Sequence, residues 1–333
     1  SDDDIAEKGV KEGLPASLTF KMVVPDLNDA VVTRAGVEQE TALNQLMFLF
    51  YKKSDTSKPA FAKVIDQLGS WRIGSDGNDN SNRLYTVTIS PGETDLNDNE
   101  LMSGEYYLYA LANWGNGFCS YDAEGYASKS LDELKSAILA RESSANVLNI
   151  INNTPMTGIY GRDDGSIEIY EGENSFGNTD ETRVHLRRAV AKVIFNISTV
   201  DGITFTPERY SIYHYSQSST LMERSGWGGD QGTKPGNLSY EGNNSFSDFE
   251  DLAFSDGTPN SFEFYMPENV QRAKDSNFTD VKMREKRESE TNEKFKYAPE
   301  KSTYIVIEGH YNGPRNASSD ETAIYDGLSL IHI

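Results

Sequence analysis

The stretch Arg183–Ser198 reads RVHLRRAVAKVIFNIS and decides how the chain divides. It is basic and apolar within a chain that is otherwise acidic and polar. From Ala191 onward the odd positions Ala191, Val193, Phe195 and Ile197 alternate with Lys192 and Asn196, the period of two of a half-buried strand. Before it, Val184, Leu186 and Val190 occupy even positions, so the phase slips by one near Ala189. A slip suits a bulge or a strand that changes sheets. Ala189, Val190, Val193, Ile194 and Ile197 also fit one face of a helix. The β-branched and aromatic residues after Lys192 favour the strand.

Working outward, several further strands are legible. Leu14–Val24 alternates, with Leu18, Phe20, Met22 and Val24 on one face and Thr19 and Lys21 on the other. Pro25 ends it by removing a ladder donor. Leu46–Tyr51 is apolar on both faces, as a central buried strand is. Leu84–Ile89 turns Tyr85, Val87 and Ile89 inward, and Gly104–Asn113 is the next strand. Ser130 and Glu133 form a capping box that opens a short helix with Leu131, Leu134, Ile138 and Leu139 as its apolar stripe. Asp163-Asp164-Gly165 reads as a hairpin turn. Later strands are expected at Val190–Ser198, Tyr210–Tyr215, Phe262–Met266 and Thr303–Tyr311, with Ser218–Phe249 a long polar loop.

The chain has 333 residues, enough for two domains of about 150 residues each. Its 31 basic and 52 acidic side chains leave a net charge of −21, which argues against nucleic acid as a partner. A single cysteine, Cys119, excludes an intrachain disulfide. With four scattered histidines there is no zinc-ligand pattern, and no cofactor is implied. No apolar run reaches the ~20 residues of a membrane span.

Catalytic signatures are also missing from the sequence: no phosphate loop, no nucleophile elbow and no paired metal ligands. Nothing in it argues for an enzyme. Asp76–Asn80 and Asp95–Asn99 imitate the start of a calcium loop, but Ser81 and Glu100 replace the required glycine. Asx-rich turns are the simpler reading of both. The basic run Lys282–Arg287 reads as a solvated face. Trp114 and Trp227 sit in glycine-rich segments, where they either stack on a sugar ring or anchor a loop to the core.

Five short blocks carry a family resemblance. Leu186–Val193 resembles the strand that opens the second domain of Bacteroidales-type fimbrillins, the subunits of type V pili, whether major or accessory (anchor or tip). Gly104–Asn113, with its Gly-x-Tyr-x-Leu-Tyr-Ala-x-Ala-Asn pattern, is similar to a second family block. Pro155-Met156-Thr157-Gly158 resembles a third, and Tyr265–Asn269 and Thr303–Gly309 resemble two more, all in family order. The helix at Ser130 also has a family counterpart.

The resemblance implies a mostly β protein, two tandem transthyretin-like, Greek-key β-sandwich domains with minor helix. The expected layout is a flexible leader over 1–15, one sandwich over 16–180 and a second over 181–327. It further implies a lipoprotein precursor exported to the outer membrane and attached only through an N-terminal lipid outside this chain. Ser1-Asp2-Asp3-Asp4 fits a processed start of that kind, or an ordinary acidic tail.

In the family a protease cuts after an Arg or Lys in the first loop, the first strand leaves, and a neighbouring subunit's strand takes its place. Here that assigns the cut to Arg34 and Ala35 and makes Leu18, Phe20, Met22 and Val24 the groove fillers. Arg34 is the only arginine before Arg72. The implied partners are other fimbrial subunits, the processing protease and a host or bacterial surface ligand. A surface glycan-binding lipoprotein of similar all-β build, binding through Trp114 or Trp227, is the alternative.

The family's closing block is absent, and Leu328–Ile333 reads as a translated sequencing adapter, with a genuine short strand as the alternative. The expectation is that 328–333 stand outside the fold and that the second sandwich lacks a terminal strand.

Overall fold

The computed structural model describes residues 9–25, 43–65, 73–74, 82–115, 119–141, 154–223, 249–254, 261–267, 287–289, 292–295, 303–314 and 322–332. The protein is mostly β. Two compact units divide between Ala189 and Val190, with residues 220–223 returning to the first. That boundary lies at the phase slip rather than at Asp180. The physical reason is that Val184–Arg188 still hydrogen-bonds into the first sheet.

The first unit carries β1 (Ala16–Pro25), β2 (Leu46–Lys52), β3 (Phe61–Val64), β4 (Ile73–Gly74), β5 (Asn82–Ile89), β6 (Gly104–Ala112), α1 (Leu131–Ser136), β7 (Ile138–Ala140), β8 (Met156–Tyr160), β9 (Ser166–Ile169), β10 (Gly172–Ser175) and β11 (Val184–Arg188). One sheet runs β3-β2-β6-β8-β11-β1-β5-β4, with β9 also on β6 and β10 also on β1. It curls until its inner faces meet. Phe20 of β1 and Phe48 of β2 touch edge to face, although β11, β8 and β6 lie between their strands in hydrogen-bonded order.

The outer face of β2 and β6 is buried as well. Met47, Leu49, Tyr51, Tyr109 and Leu111 lie there, and the Tyr51 hydroxyl donates to the Lys129 carbonyl at 3.3 Å. The segment leading to α1 therefore covers this face, which explains why Leu46–Tyr51 is apolar at every position.

Three local expectations change. The capping box at Ser130 forms, but α1 ends at Ser136. Ala137 is extended, so Ile138 and Leu139 belong to β7 rather than to the helix stripe. Asp163-Asp164-Gly165 does turn, yet makes no hairpin. β8 and β9 both run antiparallel to β6, end to end, and Gly161–Gly165 is an excursion from a single line of pairing. Residues 9–15 are not a free leader, because hydrogen bonds hold Lys11–Ala16 against Leu101–Ser103.

The second unit holds β12 (Val190–Asn196), β13 (Thr204–Ser216), β15 (Phe249–Phe254), β16 (Ser261–Pro267), β17 (Arg287–Ser289), β18 (Asn292–Phe295), β19 (Tyr304–Pro314) and β20 (Thr322–His332). The stretch that opened the reading does change sheets: β11 pairs with β8 and β1, whereas β12 pairs with β16. Phe195 stacks on Phe262 at 4.9 Å, while Ala191, expected inward, is exposed.

β13 lies between β15 and β19, and β19 lies between β13 and β20. The backbone of Leu328–His332 thus continues β20, from Glu308↔Leu328 to Tyr304↔His332. These residues extend the sheet instead of standing outside it. The expected long loop begins with the buried strand β14 (Ser218–Thr220); residues 224–248 lie outside the described ones.

Candidate functional site: the groove around the first strand

β1 has alternating side chains and partners on both edges. Along one edge it pairs antiparallel with β5, from Leu18↔Ile89 to Pro25↔Asn82. Along the other it runs parallel to β10, from Ala16↔Gly172 to Thr19↔Ser175, and then parallel to β11 at Met22↔Val184 and Val23↔His185. Leu18 is 1% exposed, and Phe20, Met22 and Val24 are 0% exposed. Burial of this kind is worth roughly 1.5–3 kcal/mol for each such side chain.

Between β10 and β11 the chain leaves the edge of β1. Gly177 makes the departure, with φ +112° and the place of its missing Cβ only 2.5 Å from Lys21 Cβ. Any side chain there would strike β1. Just before it, the Phe176 amide donates to the Thr19 carbonyl at 2.9 Å. The Asn174 side-chain amide donates to the Ser17 carbonyl at 3.0 Å and also caps its own turn through the Tyr170 carbonyl. The groove thus holds main-chain groups of β1 as well as its side chains.

Beside Val23 of β1 lies a histidine. His185 is buried, and its Nε2 donates to the Asp180 carbonyl at 2.7 Å. Burial holds the imidazole below its ordinary pKa; the Asp180 backbone contact and carboxylate oppose this, and Arg162 and Arg183 add to it. The Asp180 carboxylate is itself paired with Arg162 at 2.7 Å.

Of the residues singled out by sequence, the four groove fillers come together in one core. Arg34, Ala35 and Trp227 lie outside the described residues. Trp114 follows β6 and is 8% exposed, with its carbonyl accepting from the Tyr121 amide at 3.0 Å. Buried to this degree, its ring is not displayed for stacking. Asp95, one of the calcium-loop imitators, spends its carboxylate on the amides of Asn97, Asn99 and Ala62, as an Asx turn does.

Sequence reasoning passed over Gly13, Ser103 and the roles of Asn113 and Asn174. The Gly13-Leu14-Pro15 punctuation just before an alternating run was the available signal.

No protein-family model matches the sequence, and no curated protein matches it. Solved structures similar to it include a candidate cell adhesion protein from Parabacteroides distasonis ATCC 8503, with TM-score 0.49 and 16% identity over 96% of this chain and 80% of that one. Another is a candidate cell adhesion protein from Bacteroides eggerthii DSM 20697, with TM-score 0.42 and 15% identity over 96% of this chain and 80% of that one. A candidate adhesin from Bacteroides ovatus has TM-score 0.39 and 10% identity over 94% and 75%.

Proposed function

We propose that this chain is a structural or accessory (anchor or tip) subunit of a type V fimbria that supports adhesion at the cell surface. It is exported as a lipoprotein precursor to the outer membrane. Cleavage after Arg34 releases β1, and a strand from a neighbouring subunit fills the vacated groove. The observation that carries this reading is β1 itself: a strand paired on both edges, with four side chains 0–1% exposed. Its loss leaves two unpaired strand edges and an open apolar slot. An incoming strand of matching alternation restores both the burial and the ladder, which is β-strand addition. The order of the five family-like blocks supports the same reading.

Partners on this view are other fimbrial subunits, an Arg-specific protease and a surface ligand. The glycan-binding alternative loses one of its two stacking residues, since Trp114 is buried.

Limited digestion with an Arg-specific protease, followed by mass spectrometry, tests the first step. The expected first cut follows Arg34. The full-length protein carrying Arg34→Ala is expected not to polymerise. First cleavage elsewhere, or assembly of that variant as efficient as wild type, contradicts the proposal.

A further inference from the structure

The four apolar slots around β1 do not define a register by themselves. A strand shifted by one residue turns its apolar set outward, but a shift of two keeps the same face inward. Something else must exclude the two-residue slip.

Ser103, 0% exposed, meets the segment before β1 with all of its polar groups. Its hydroxyl donates to the Lys11 carbonyl at 2.6 Å and accepts from the Leu14 amide at 3.0 Å. Its amide donates to the Leu14 carbonyl at 2.7 Å, and its carbonyl accepts from the Gly13 amide at 2.9 Å. The neighbouring Leu101 carbonyl accepts from the Ala16 amide at 3.1 Å. The bend that lets one serine reach Lys11, Gly13 and Leu14 is made at Gly13, whose φ is +81°. L-residues other than glycine adopt that region at a cost. A slip of two residues one way would put Pro15 at the bend, where its ring fixes φ near −65° and forbids it. A slip the other way would put Lys11 there, strained and without the matching contacts.

The geometry points to the Gly13–Ser103 clamp as the register-determining site of the groove. It selects any occupying strand by a glycine five residues ahead of the first of four alternating apolar residues. This rests on the strand-replacement reading above and adds to it the recognition feature of the partner: an extended segment of another subunit with glycine at that spacing.

The test uses the full chain with a cleavage site for an unrelated protease inserted among residues 26–42, so that it is independent of Arg34. The nicked protein is freed of its N-terminal fragment under mild denaturant and offered labelled synthetic peptides spanning residues 9–25. The wild-type peptide is expected to be captured. Gly13→Ala in the peptide is expected to weaken capture by about tenfold, the loss of one or two hydrogen bonds. A peptide with D-alanine at position 13, which accepts positive φ, is expected to restore it. Ser103→Ala in the protein, which removes the two hydroxyl bonds and keeps the main-chain ones, is expected to weaken capture of the wild-type peptide and to narrow its advantage over the L-alanine peptide. Equal capture of glycine and L-alanine peptides by the wild-type protein overturns the clamp and leaves strand replacement standing. Failure to capture any peptide overturns both.

Discussion

The rings of Phe20 and Phe48 meet edge to face with centroids 4.9 Å apart and planes at 83°. Their strands, β1 and β2, are not neighbours in the sheet, so this pair marks where the curled sheet closes on itself. Phe20→Ala leaves a cavity at that closure. The expected loss of stability is about 3–5 kcal/mol, read by denaturant unfolding. Thr88→Ala, on the exposed side of β5, removes only an exposed hydroxyl contact with Thr19 and is expected to cost no more than about 1 kcal/mol.

Asn113 ends β6 with φ +58° and is 1% exposed. Its side-chain carbonyl accepts from the Asn44 amide at 2.8 Å, and its amide donates to the Thr154 carbonyl at 3.1 Å. It therefore ties the start of β2 to the segment before β8. Asn113→Gly keeps the backbone conformation and loses the ties; Asn113→Ala loses both. The expected order of thermal midpoints is wild type, then Asn113→Gly, then Asn113→Ala. The alanine variant is expected to lose about 1–3 kcal/mol.

His185 gives the first unit an acid-sensitive component. Its pKa is lowered on folding, so below the unfolded value of about 6.5 the unfolded state binds more protons than the folded one. The stability it contributes is fully present above that pH and is lost as pH falls towards and through the lowered folded pKa. His185→Gln is expected to flatten the pH dependence of the melting temperature below about pH 6.5. An unchanged slope in the variant would assign the acid sensitivity to other groups.

How much of this was legible in sequence depended on range. The phase slip near Ala189 was legible because alternation is a local signal, but it fitted a bulge or a change of sheet equally, and only the pairing of β11 and β12 with different strands decides for the latter. The four inward residues of β1 were legible for the same reason. Ile138 and Leu139 fit a helix stripe as well as a strand, and only the extended Ala137 decides between them. The turn at Gly165 was visible, but not that β8 and β9 share one partner, since β6 lies far away in sequence. Gly158 shows the same limit. A Cβ there would lie 1.9 Å from the His185 carbonyl oxygen, so only glycine allows β8 and β11 to approach. The Gly13–Ser103 clamp joins segments about ninety residues apart, a pairing that no local pattern encodes.

The central claim is that β1 is a removable strand. Mass spectrometry of subunits recovered from the assembled polymer tests it most directly. The account predicts subunits that begin at Ala35, with no peptide from residues 16–25. Polymer subunits that retain residues 16–25 would contradict it.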